Sequence, residues 1–139
     1  MLPTEISENR LKGMRFQYWL TATVATLLGL AIILSPKKVM ALLQFKKDQD
    51  QLMFGVSGSV YLAFGLLSYL GLRSPVKWSP ILALQLLYKA IWFLGVVGLM
   101  MRRGLFSWRT GFSMVAGYAV FVAGDLFAVP FRYLLKKDI

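Results

Sequence analysis

Phe16–Leu34 reads FQYWLTATVATLLGLAIIL, 19 residues without a charge. As a helix it is ~28 Å long, close to the ~30 Å hydrocarbon core of a bilayer. The tail before it, Met1–Arg15, is polar and carries Glu5, Glu8, Arg10, Lys12 and Arg15. A signal peptide has a shorter apolar core, about 7–15 residues, and a small-x-small cleavage site, and neither fits this stretch. The run therefore reads as an uncleaved membrane span.

Three more runs follow. Leu52–Leu72 has no charge, Ile81–Met101 contains Lys89 alone, and the run from about Gly111 to Phe131 contains Asp125 alone. The chain of 139 residues is thus expected to be all-α. It should form a single transmembrane domain over 1–139, a four-helix bundle with spans near 16–34, 52–72, 81–101 and 111–131. Trp19, Trp78, Trp108 and Tyr133 fall near the predicted span ends, as in the aromatic belt of membrane helices.

The connections are short. Ser35-Pro36 ends the first span and offers an N-cap and a proline at the first helical position. Val39, Met40, Leu42 and Leu43 then share a face, while Lys37, Lys38 and Gln44 lie mostly elsewhere, which predicts a short interfacial amphipathic helix. Asp48-Gln49-Asp50-Gln51 supplies N-cap candidates for the second span, and Ser79-Pro80 repeats the capping signature before the third. Gly55, Ser59 and Ala63 recur every four residues, a stripe expected to pack within the chain's own bundle.

Composition agrees. Hydrophobic residues make up 58% and charged residues 16%, with a mean hydropathy of +0.62, against ~45–50% and ~25% in soluble domains. The net charge is +10. Because the basic residues flank apolar runs, anionic lipid headgroups are the expected partner, not nucleic acid. Lys and Arg number eight on the side of the termini and seven on the other, so the positive-inside rule leaves orientation open. Termini in the cytoplasm are expected only by analogy with short-loop bacterial proteins.

Cys and His are both absent. That excludes thiol chemistry, an imidazole base and His-ligated zinc or haem. No phosphate loop, carboxylate pair or nucleophile–base pair occurs, so no catalytic residue and no metal ligand is assigned.

The one polar constellation lies inside the spans, where each ionisable group costs ~2.5–3.5 kcal/mol on insertion scales. Lys89 lies ~2 Å and Asp125 ~6 Å from the middle of their spans, on the same side of the midplane. A lysine side chain reaches across the ~4 Å difference. Gln85 lies one turn from Lys89 on the same face. The expectation is a buried Lys89–Asp125 pair supported by Gln85, with Tyr88, Tyr61 or Tyr118 as further partners. The pair serves either to fix helix register or to bind a ligand. Among apolar and aromatic neighbours such as Phe64, Trp92, Phe93 and Phe121, such a site suits a hydrophobic molecule, a lipid or a quinone.

Three sets of residues carry a resemblance. They are Leu28-Gly29-Leu30 through Pro36 with the Val39–Leu43 segment, the second span from Phe54-Gly55-Val56 to Phe64-Gly65-Leu66-Leu67, and Gln85-Leu86-Leu87-Tyr88-Lys89. In these the chain resembles the DoxX-like superfamily of small four-span, mainly bacterial membrane proteins. The resemblance implies a multi-pass protein of the cell membrane, of bacterial inner-membrane type, linked to quinone, sulfur-oxidising or redox-stress systems. Without cysteine no thiol role carries over. The functional expectation is a non-enzymatic subunit or hydrophobic-ligand-binding accessory protein, acting alone, as a homo-oligomer or in a membrane complex. The alternatives are a small transporter or channel using Lys89 and Asp125, and a quinone-linked redox partner.

Overall fold

Ser7 starts the first helix earlier than the charge-free run suggests. Its hydroxyl accepts the Arg10 N–H at 3.2 Å, and Glu8 occupies the first turn, where the helix dipole favours an acid. In the computed structural model, which describes residues 6–43, 45 and 50–137 and only the backbone at Thr110, helix α1 runs Glu8–Leu34. A charge-free criterion stops at Phe16 because of Arg10, Lys12 and Arg15. Long basic side chains nonetheless let a helix continue into the headgroup layer.

The expected interfacial helix is present as α2, Pro36–Leu42, with Pro36 in its first turn. It buries Val39 and Met40 against Ile32 and Phe54. Gln44, Lys46, Lys47, Asp48 and Gln49 lie outside the described residues. Helix α3, Gln51–Arg73, is capped by Asp50, whose carboxylate accepts the Leu52 N–H at 3.1 Å.

The third crossing has three parts. Helix α4, Ser79–Ile91, continues through a wide π-helical turn, Trp92–Val97, into α5, Gly98–Arg102. Ser79 does not cap it. Ser79 is the first helical residue, and its hydroxyl donates to the Val76 carbonyl at 2.7 Å. The fourth crossing, α6, is Trp108–Ala128 and stops three residues short of Phe131. Pro130 disfavours helical backbone at Val129, which is extended, and the chain resumes as α7, Phe131–Leu134.

These helices make an all-α four-helix bundle, 83% helical. Helix α1 packs along α3 and also against α6, while α4 closes the ring between α3 and α6. Four helices are long and apolar enough to cross a membrane. Large apolar side chains such as Leu27, Leu84 and Leu94 are exposed on their outer faces, which suits acyl chains as solvent. The chain is a multi-pass membrane protein.

The α1–α3 seam is the tightest contact, and glycines set its distance. A Cβ on Gly29 would lie 2.6 Å from the Leu62 amide nitrogen, and one on Gly65 would lie 2.7 Å from that of Thr26. The Gly55–Ser59–Ala63 stripe is not at this seam, contrary to the sequence expectation. A Cβ on Gly55 would meet nothing within 4 Å. Ser59 is exposed and donates to the Gly55 carbonyl of its own helix at 2.8 Å. The seam uses a neighbouring face of α3, the one bearing Gly58 and Gly65.

Gly29→Ala and Gly65→Ala should each lower stability by about 1–3 kcal/mol, because backbone must move to admit the methyl group. Gly55→Ala should be neutral or stabilise by up to ~1 kcal/mol through helix propensity. Unfolding of detergent-solubilised protein by SDS titration measures both. Equal losses at Gly55 and Gly65 would contradict this seam.

Candidate functional site

Three helices bring their interior polar residues to one level. Asp125 of α6 is fully buried. Its Oδ1 accepts the Gln17 side-chain N–H from α1 at 2.8 Å, and Gln85 of α4 donates to Oδ2 at 3.0 Å and Oδ1 at 3.2 Å. Hydrogen bonds to a charged group contribute about 1.5–3 kcal/mol each, so two amides offset the cost of placing a carboxylate at this depth.

Each amide is itself positioned. The Thr21 hydroxyl donates to Gln85 Oε1 at 3.1 Å, which leaves the NH2 group of Gln85 turned to the carboxylate. Gln17 Nε2 also donates to the Phe121 carbonyl at 3.3 Å. Gln17 Oε1 is buried without a hydrogen-bond donor, over Gly124, where a Cβ would come within 2.1 Å of it.

Lys89 takes a different environment from the one expected. It is 3% exposed. Its Nζ lies 4.4 Å from the Phe121 ring centroid, 4.8 Å from that of Tyr88 and 5.1 Å from that of Tyr118. These are cation–π distances. The expected contact of ammonium with carboxylate is therefore corrected. The hydrogen bonds of Asp125 come from Gln17 and Gln85, and the near neighbours of Lys89 are ring faces. The two charges still act on each other electrostatically.

The rings form a connected set. Tyr88 meets Phe64 and Tyr118, and Trp92 stacks edge-on against Tyr118 with centroids 4.8 Å apart. The hydroxyls of Tyr61 on α3 and Tyr118 on α6 hydrogen-bond across the bundle. The π-helical turn begins within this group, at Trp92. Such turns concentrate at functional sites because the extra residue re-aims side chains.

A cavity of about 340 Å³ approaches the lysine from the half of the bundle that carries α2. Its walls come from α1 (Val24, Leu28, Ile32), α3 (Phe54, Ser57, Tyr61) and α6 (Ser113, Gly117, Tyr118, Phe121). It shares Val24, Leu28, Tyr61, Tyr118 and Phe121 with a recess of about 40 Å³ bounded by Lys89, Tyr88 and Gln85. The opposite half, nearer the termini, is closed. There Met14, Tyr18, Leu82, Ala128 and Val129 are fully buried together. The Tyr18 hydroxyl donates to the Pro75 carbonyl at 2.7 Å, and the Arg10 guanidinium donates to the Val129 carbonyl.

Of the predicted site residues, Gln85 and Asp125 are in direct contact, while Lys89 and Tyr88 bound the small recess that adjoins the cavity. Sequence reading missed Gln17 and Thr21. Gln17 is the second residue of the charge-free run, at its edge, whereas the longer α1 carries it well inside the helix. A polar amide within an apolar run was the available signal. Among the described residues no group of three acidic side chains could hold a metal ion.

Gln85→Met and Asp125→Leu should be strongly non-additive, with a coupling of about 1–3 kcal/mol, since either single change strands a buried polar partner. The cycle of Lys89→Met with Asp125→Leu should give a smaller coupling. Stability in detergent reads both, and the reverse order would restore the direct ion pair.

No family model, curated protein or solved structure matches the chain, so its role rests on its own residues.

Proposed function

We propose that this membrane protein is a non-enzymatic accessory protein or subunit that holds a small hydrophobic or amphipathic molecule in the cavity ending at Lys89. The observation that carries this reading is the juxtaposition of a largely apolar cavity of about 340 Å³ with an adjoining recess of about 40 Å³ that shares five of its wall residues and is bounded by one cationic side chain, Lys89. That volume lies within the range of small-molecule sites, about 300–1,000 Å³, and a few convergent polar groups in an apolar wall are their usual design. Larger concavities are less suited. The groove beside Gly55 and Ser59 faces outward without a charged group, and the crevice around Arg10 and Arg132 lies at the ends of the helices.

Chemistry favours holding over conversion. Ser57 at the wall has no base beside it in a chain without histidine, and Asp125 is committed to two amides. Transport finds less support, because the buried apolar layer from Met14 to Val129 separates the polar cluster from the terminal side. Membership of the DoxX-like superfamily belongs to the same proposal and would place a quinone beside lipids among the candidate ligands. Basic residues at both ends of the bundle favour anionic headgroups around it, in a cell membrane of bacterial inner-membrane type, with or without further subunits.

Native mass spectrometry after gentle extraction tests the reading. The wild-type chain should retain one small molecule. Gly117→Trp should lose it while remaining folded, because a Cβ at Gly117 meets nothing within 4 Å and the ring would fill the cavity. A bound molecule that survives Gly117→Trp, or none in either protein, contradicts the proposal.

A further inference from the structure

We infer that the cavity takes a single-chain amphiphile with a carboxylate head, inserted head first so that the carboxylate meets Lys89. The inference rests on the cavity reading above and adds the class of ligand. Three observations lead to it: the state of the ammonium, the shape of the cavity and the depth of the lysine.

An ammonium carries three N–H donors. Among the described residues those of Lys89 face the rings of Tyr88, Tyr118 and Phe121 and have no hydrogen-bonded oxygen. Asp125, the nearest carboxylate in the bundle, takes its hydrogen bonds from Gln17 and Gln85. The cation thus lacks a direct counter-ion while sitting 3% exposed in a low-dielectric interior. An anionic oxygen gains more in such a place than a neutral one, because charge-assisted hydrogen bonds are roughly twice as strong as neutral ones. The hydrogen-bonded hydroxyls of Tyr61 and Tyr118 retain one O–H proton between them, a second donor for a two-oxygen head.

Shape limits the tail. From Val24 to Ile32 the α1 wall extends ~12 Å. The volume of about 340 Å³ beside that wall is at the small end of ligand sites, which suits a single-chain molecule. Depth excludes the common double-chain lipids on separate grounds. Lys89 lies near the middle of its span, ~2 Å from centre, whereas a phospholipid keeps its charged group in the headgroup layer. A single-chain carboxylate has no phosphate and no second chain to hold it in that layer.

Native mass spectrometry of the full chain in detergent, with palmitate and its alcohol, cetyl alcohol, at equal concentration, decides the matter. Palmitate should form a one-to-one adduct about tenfold or more tighter than the alcohol. Lys89→Met should remove that preference, Lys89→Arg should keep most of it, and Gly117→Trp should abolish binding of both. The wild-type comparison needs no lysine variant, so a misfolded Lys89→Met leaves the test intact. Equal binding of acid and alcohol, both lost in Gly117→Trp, overturns the carboxylate assignment and leaves the cavity reading standing. No adduct from either molecule, or adducts indifferent to Gly117→Trp, overturns both.

Discussion

A carboxylate surrounded by hydrocarbon must be met by donors, and in this bundle the side-chain amides of Gln17 and Gln85 meet Asp125. The three residues sit on α1, α6 and α4, so one group of hydrogen bonds fixes the relative depth of three crossings. A slip of one residue on any of them would turn a polar side chain toward lipid and leave the carboxylate short of a donor. Apolar packing between membrane helices is poorly directional, because lipid competes on equal terms, and a satisfied polar cluster supplies the missing specificity. Thr21 extends the same logic by orienting the Gln85 amide.

With that level fixed, the two halves of the bundle diverge. Toward the termini, small and apolar residues fill the interior completely, and Tyr18 and Arg10 tie the helix ends to backbone carbonyls. Away from the termini, α1 stays with α3 along the glycine seam, but the third crossing packs little against the other helices from its π-helical turn onward, and Leu94 within that turn is 80% exposed. The cavity in this half is lined by aliphatic side chains such as Val24, Leu28 and Ile32 and by the rings of Phe54, Tyr61, Tyr118 and Phe121. Lys89 therefore faces ring quadrupoles on one side and a cavity on the other. A tightly packed half that positions a polar cluster, and a looser half that gives access to it, is an arrangement suited to binding from one side.

Much of this could be read directly from residues. Apolar run lengths give four crossings, Pro36 and the Val39–Leu43 face give the interfacial helix, and antiparallel depth arithmetic brings Asp125 to a depth between Gln85 and Lys89, of which Gln85 makes the hydrogen bonds. The departures share a cause. Sequence depth says which residues are at one level but not which azimuth each takes, so it pairs the nearest opposite charges and does not reveal the amide of Gln17 on a third helix. Azimuth also decides between the Gly55 stripe and the Gly58–Gly65 face, and small residues alone do not distinguish them. The π-helical turn has no signature in composition, since Trp92–Val97 reads as ordinary apolar helix.

In this bundle amides, not the ammonium, hold the intramembrane carboxylate. Solid-state NMR in lipid bilayers addresses it directly, with 15N-labelled Gln and Lys side chains and 13C-labelled Asp carboxyl groups. Clear dipolar transfer is expected from the Gln17 and Gln85 amide nitrogens to the Asp125 carboxyl carbon, in keeping with N–O separations of 2.8 and 3.0 Å, and weak or no transfer from Lys89 Nζ. Dominant transfer from Lys89, with none from the two glutamines, would contradict it.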